Sequence, residues 1–148
     1  MRESGGSHHL QAASVNVRIK LAALWTSVMF CYIYADYFGL YVPGALQHML
    51  EGRMAPLGHV NQGMLVGTAL MLAIPGVMIC LSVLLRPGLC RTLNIVFGVL
   101  YTLIILVTMW GWAFYIVYGV IEITLTALVV AFAWRWPRAE AAGGESLP

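Results

Sequence analysis

The sequence predicts an all-α protein: an antiparallel bundle of four transmembrane helices, with a short interfacial helix in the outer loop between spans one and two. Three observations carry this reading. Of 148 residues, 61% are hydrophobic and 9% charged, whereas a soluble domain carries about a quarter charged residues. Such a chain cannot cover a water-facing surface, which excludes a soluble enzyme, a disordered tail protein and a nucleic-acid module, the last of which needs a basic stripe. Next, the apolar stretches are long enough for four spans, at roughly 20 residues for ~30 Å of hydrocarbon. Lastly, four spans divide the Arg and Lys residues seven to one between the two sides.

Span one runs over about 19–42 and is interrupted only by Asp36. Its aromatic run Phe30, Tyr32, Tyr34 is wrong for a signal-peptide cleavage site, so the span is expected to be retained. Span two covers about 60–85 without a charge. Between Arg91 and Arg135 lie 43 residues with Glu122 as their single charge. As one straight helix they would reach ~65 Å, twice the membrane thickness, so they must fold back. The turn is expected at Gly111-Trp112-Ala113-Phe114, since aromatic rings settle at the lipid–water interface. Spans three and four are then about 92–110 and 115–134. The membrane domain is 18–138, and the polar, Gly-rich tails 1–17 and 139–148 read as disordered.

The outer loop, 43–59, opens with Pro43. Ala45, Leu46, Met49 and Leu50 follow on one helical face, with Gly52 as the stop. A short helix lying in the interface or capping the bundle fits this pattern. Inside span two, Pro75 removes a backbone bond to the Met71 carbonyl and predicts a kink. Gly63-x-x-x-Gly67 permits close helix approach, within the bundle or between chains. Cys31, Cys80 and Cys90 fit neither a disulfide framework nor a zinc site. His48 and His59, even with Asp36 and Glu51, match no metal motif, so no metal is expected.

Orientation follows from the cations. Arg2, Arg18 and Lys20 precede span one, Arg86 and Arg91 lie between spans two and three, and Arg135 and Arg138 follow span four. Only Arg53 falls on the other side. By the positive-inside rule both termini face the cytoplasm.

Two carboxylates stand inside this frame. Asp36 lies ~24 Å from the cytoplasmic edge and Glu122 ~20 Å, so both fall in the outer half. Helical spacing sets Trp25, Met29, Tyr32 and Asp36 on one stripe of span one, and Tyr115, Tyr118, Glu122 and Thr126 on one stripe of span four. Span three offers Asn94, Gly98, Tyr101 and Thr108, and span two begins with Asn61 and Gln62 on the same outer side. A charge at the membrane centre costs roughly 2.5 to 3.5 kcal/mol on insertion scales, so such a residue faces protein or a wet cavity. The candidate polar cavity is therefore Asp36, Glu122, Tyr32, Tyr118, Thr126, Asn61 and Tyr101. Two readings of Glu122 stand side by side: a proton-accepting or ligand-binding carboxylate, or a protonated Glu bonded to Tyr, Thr or Asn to hold the bundle in register.

Three stretches stand out: Tyr32-Ile33-Tyr34-Ala35-Asp36 followed by Pro43-Gly44; Gly63-Met64-Leu65-Val66-Gly67 leading to Ile74-Pro75; and Ile121-Glu122-Ile123-Thr124-Leu125-Thr126 ending at Ala133-Trp134-Arg135-Trp136. Together they resemble a family of small bacterial four-helix membrane proteins of unknown function. The likeness covers about 20–136. Members of that family often carry an acidic residue before the Ile-Pro pair, where this chain has Ala73. A looser likeness to DoxX-type four-helix proteins is architectural only, and fold does not imply function. The resemblance implies a bacterial inner membrane as the location.

Two functions of different classes follow. The first is a non-enzymatic membrane protein, a small binding or accessory subunit or a proton-linked carrier with a polar cavity in its outer half. The second is a membrane enzyme acting on a lipid-soluble substrate such as a quinone, with Glu122 as acid/base. No cofactor motif, nucleophile–base pair or redox cysteine pair is present, so the first is favoured and no cofactor is expected. The partners this composition admits are the lipid bilayer, a small lipophilic ligand and a second copy of the chain; no nucleic-acid partner is expected.

Overall fold

The computed structural model describes residues 15–54 and 57–136. The elements in chain order are α1 (Val17–Gly39), α2 (Ala45–Leu50), the two-residue strands β1 (Arg53–Met54) and β2 (Gly58–His59), then α3 (Gln62–Leu84), α4 (Pro87–Thr108) and α5 (Ala113–Trp134). The helices α1, α3, α4 and α5 are each long and apolar enough to cross a membrane. The tails expected at 1–17 and 139–148 lie outside the described residues, apart from 15–17, where α1 begins.

Local chemistry sets the helix starts. The Asn16 side chain accepts from the Arg18 N–H at 2.9 Å and caps α1. Asn61 accepts from the Met64 N–H at 2.8 Å and caps α3. Helix α4 starts five residues before the sequence predicts, because Pro87 occupies its first turn, where its missing N–H has no helical partner to lose. Arg91 consequently sits inside α4 rather than in the connection, which shrinks to Leu85 and Arg86. The α4–α5 turn falls where the aromatic cluster predicts it, with Gly111 at φ 147°, a conformation side chains disfavour.

Helix α2 starts at Ala45, two residues past Pro43, with Gly44 at its N-cap. None of its residues is buried, and Leu46, Met49 and Leu50 are exposed. It therefore does not plug the bundle but stands outside it, a short helix between the first two long ones. It is followed by a small antiparallel ladder pairing Arg53 with His59 and Met54 with Gly58. The sequence reading has no counterpart for this hairpin, since two-residue strands carry no readable alternation.

Helix α1 packs against α3 and α5, and α5 against α4, while the consecutive pair α3 and α4 packs far less extensively. The core is Leu21, Trp25, Val28, Met78, Tyr101, Val129 and Ala133. Small residues bring α4 and α5 together: a Cβ on Gly98 would come within 2.7 Å of Val130, and one on Gly119 within 2.7 Å of Met109. An even number of long helices sets Arg18, Lys20, Arg86, Arg91 and Arg135 at one end, here the terminal end. Arg53 and the hairpin stand at the other, the loop end.

Candidate functional site

The buried face of α5 reads Gly119, Glu122, Thr126, Val129, Ala133, a three- and four-residue rhythm. Glu122 thus points into the bundle and is 4% exposed. It lies ~14 Å along α5 from the loop end, while Tyr32 on α1 and Tyr101 on α4 each lie ~10 Å from theirs. These three residues of three helices thus lie within one helical turn of each other in depth. Tyr32 and Tyr101 meet with ring centroids 6.3 Å apart, and Tyr101 meets Trp25 edge-on at 6.0 Å.

The polar contacts separate these residues. Among the described residues, the side chains of Ser82, Asn94 and Thr126 are fully buried and that of Glu122 is nearly so. Thr126 Oγ1 donates to the Glu122 main-chain carbonyl at 2.9 Å and lies 2.7 Å from Thr102 Oγ1 on α4. Asn94 Oδ1 accepts from Trp25 Nε1 at 2.8 Å and from Ser82 Oγ at 3.3 Å, and its amide donates to the Cys90 carbonyl at 2.8 Å. The Glu122 carboxyl differs: among the described residues it has neither a hydrogen-bond partner nor an ion pair. The bond to Tyr, Thr or Asn that the register-holding reading requires is not made among the described residues. On α1, the Tyr32 hydroxyl is sealed from solvent and also without a partner among the described residues. Tyr32 and Glu122 lie within electrostatic reach of each other, as do Glu122 and Asp36.

The remaining candidate residues fall around or away from this pair. Asp36 stands in the last turn of α1 and is exposed, because Ala35 takes the inward position beside it. Tyr118 is half-buried and stacked on Phe38 at 6.3 Å, joining α1 to α5 near the loop end. The Tyr101 hydroxyl donates to the Met71 carbonyl of α3. Asn61 is not brought to the group at all; it is an exposed helix cap. Asn94, which the sequence reading set on a stripe but not in the cavity, centres a second polar cluster ~21 Å from the loop end. Its signal was an amide inside an apolar span.

Four membrane-length helices wrapped round Glu122, the one buried carboxyl among the described residues, define a small multi-pass membrane protein. A family model matches residues 13–143, and the chain belongs to that family, a family of unknown function (DUF6326). The matched stretch contains all three motifs that carry the sequence resemblance. No curated protein and no solved structure matches the chain.

Proposed function

We propose that this protein is a small proton-linked binding or carrier protein of the membrane, and that Glu122 is the group that takes up and releases the proton. The observation supporting this is the unpartnered Glu122 carboxyl. Keeping an ionisable side chain at this depth costs several kcal/mol unless it is paired. A register-holding role would require hydrogen-bonded partners, and Glu122 has none among the described residues. Other residues hold the register: Asn94 ties α1, α3 and α4, and Thr102 with Thr126 ties α4 to α5. In this reading Asp36, exposed at the loop end, passes protons between Glu122 and the outer face, and the Tyr32 hydroxyl is a hydrogen-bonding group for whatever binds beside the carboxyl. The basic terminal end faces the cytoplasm.

The test is pH-jump infrared difference spectroscopy on the protein in proteoliposomes. A carboxylic-acid carbonyl band present in the native chain and missing in Glu122→Gln is expected. Identical spectra would remove Glu122 from proton chemistry. An enzymatic role would use the same carboxyl as acid/base, and a quinone copurifying with the detergent-extracted chain in mass spectrometry would favour it.

A further inference from the structure

The terminal end of the bundle is strongly one-signed. Arg18, Lys20, Arg86, Arg91 and Arg135 stand there, while Asp36, Glu51 and Glu122, the carboxylates among the described residues, all belong to the other half. Three of these cations are fixed in place. Arg18 Nη1 donates to the Val83 carbonyl at 3.1 Å, with its guanidinium 5.9 Å over the Trp136 ring. Lys20 sits 5.4 Å over Phe132. Arg91 donates from Nε to the Ala133 carbonyl at 3.1 Å and from Nη2 to the Trp134 carbonyl at 3.3 Å, closing the open carbonyls of α5. Its Nη1 has no partner among the described residues and stays available to an anion.

Along the outside of α4 beside this guanidinium lies a shallow, open recess of about 370 Å³, lined by Gly88, Arg91, Thr92, Ile95 and Val96 of this one helix. Their spacing of three and four makes one helical stripe. The stripe is graded: bare backbone at Gly88, where a Cβ would meet nothing within 4 Å, then the cation, then Ile95 and the exposed Val96 one turn deeper. The Thr92 hydroxyl is turned back onto the Gly88 carbonyl at 3.1 Å, so recognition of charge falls to Arg91. A molecule filling this recess needs a negative head at the helix start and an apolar tail running into the membrane.

We propose that the recess is a binding site for one anionic phospholipid, its phosphate on Arg91 and an acyl chain along Ile95 and Val96. A guanidinium already held by two carbonyls presents its free edge with little further ordering, which favours a defined site over loose attraction. This inference is independent of the role of Glu122.

Native mass spectrometry of the full chain, titrated in detergent with phosphatidylglycerol or phosphatidylcholine, tests it. One phosphatidylglycerol is expected to be retained in preference to phosphatidylcholine. Loss of a charge-assisted contact corresponds to about tenfold weaker retention, the effect expected for Arg91→Gln. Because Arg91 also caps α5, Gly88→Phe is the second variant: it fills the recess from a position that touches nothing and is expected to expel the lipid. Val107→Phe, exposed near the loop end, leaves retention unchanged. Equal retention of both lipids, unaltered retention in Gly88→Phe, or displacement by inorganic phosphate would each overturn the proposal.

Discussion

The hydroxyl of Tyr101 donates to the main-chain carbonyl of Met71, the acceptor that Pro75 leaves without its helical donor. Helix α3 runs unbroken from Gln62 to Leu84 across the proline, with α4 supplying the missing bond from outside. A proline inside a span is tolerated when a neighbouring helix re-satisfies the freed backbone group. The bond also crosses the least extensively packed of the consecutive pairs of long helices, so one side chain repairs α3 and fastens it to α4.

Tyr101→Phe is therefore expected to lower stability by about 1–2 kcal/mol. In a Pro75→Ala background the restored Ala N–H can bond Met71 itself, and the same Tyr101→Phe change is expected to cost markedly less. Thermal unfolding of the four chains of this double-mutant cycle in detergent measures the difference. Equal costs in both backgrounds would mean that the hydroxyl serves something other than the Met71 carbonyl.

How much of this was legible in the sequence depends on the range of the cause. The four spans follow from apolar runs, and the inward direction of Glu122 follows from the cost of a carboxyl in lipid; both are local statements. The loss of the Met71 bond at Pro75 is local too, but its repair by Tyr101 depends on the relative heights of α3 and α4. Asn61 shows the opposite failure. It sits on the expected side, yet its oxygen is used within its own first turn, the commonest fate of Asn before a helix. The start of α4 was hidden because Pro87-Gly88 reads equally as a turn or as a helix opening. The missing partner of Glu122 could not be read at all, since stripes reveal which residues share a face and not which atoms meet.

Two glycine positions separate packing from exposure. A methyl on Gly98 meets Val130 at 2.7 Å across the α4–α5 seam, whereas one on Gly67 meets nothing within 4 Å. Gly98→Ala is expected to destabilise the monomer by about 1–3 kcal/mol through overpacking. Gly67→Ala is expected to leave it unchanged or slightly stabilised, because helical Ala is favoured over Gly. Thermal unfolding of the two variants checks this. A loss at Gly67 comparable with that at Gly98 would show that the Gly63–Gly67 stripe is used inside the bundle after all.

The orientation has its own test. Arg53 is exposed beside the hairpin at the loop end, opposite the five cations of the terminal end. Arg53→Cys is expected to react with a membrane-impermeant maleimide added to the outside of intact cells. A cysteine placed at Arg135 is expected to react only after the membrane is opened. The reverse pattern would invert the proposed topology.

The unpartnered carboxyl yields the sharpest prediction about stability. If Glu122 fastened the bundle, replacing it with Leu would strand its hydrogen-bond partners, at a cost of about 1–3 kcal/mol for each group left unpaired. Among the described residues there is no such partner to strand. The carboxyl also carries the small exposure that Glu122 retains, since the Tyr32 hydroxyl is the one sealed side-chain polar atom without a bond among the described residues. Glu122→Leu, of similar volume, is therefore expected to unfold at the same temperature as the native chain or higher, and Glu122→Gln to fold as well. The same reasoning applies to Tyr32, whose hydroxyl is sealed without a partner: Tyr32→Phe is expected to be neutral or stabilising. Stability kept while the infrared carboxyl signature disappears would mark a residue retained for chemistry at the expense of stability. Thermal unfolding and infrared spectra from the same samples decide between the two roles. A fall in unfolding temperature for both Glu122→Leu and Tyr32→Phe would return the pair to a structural role.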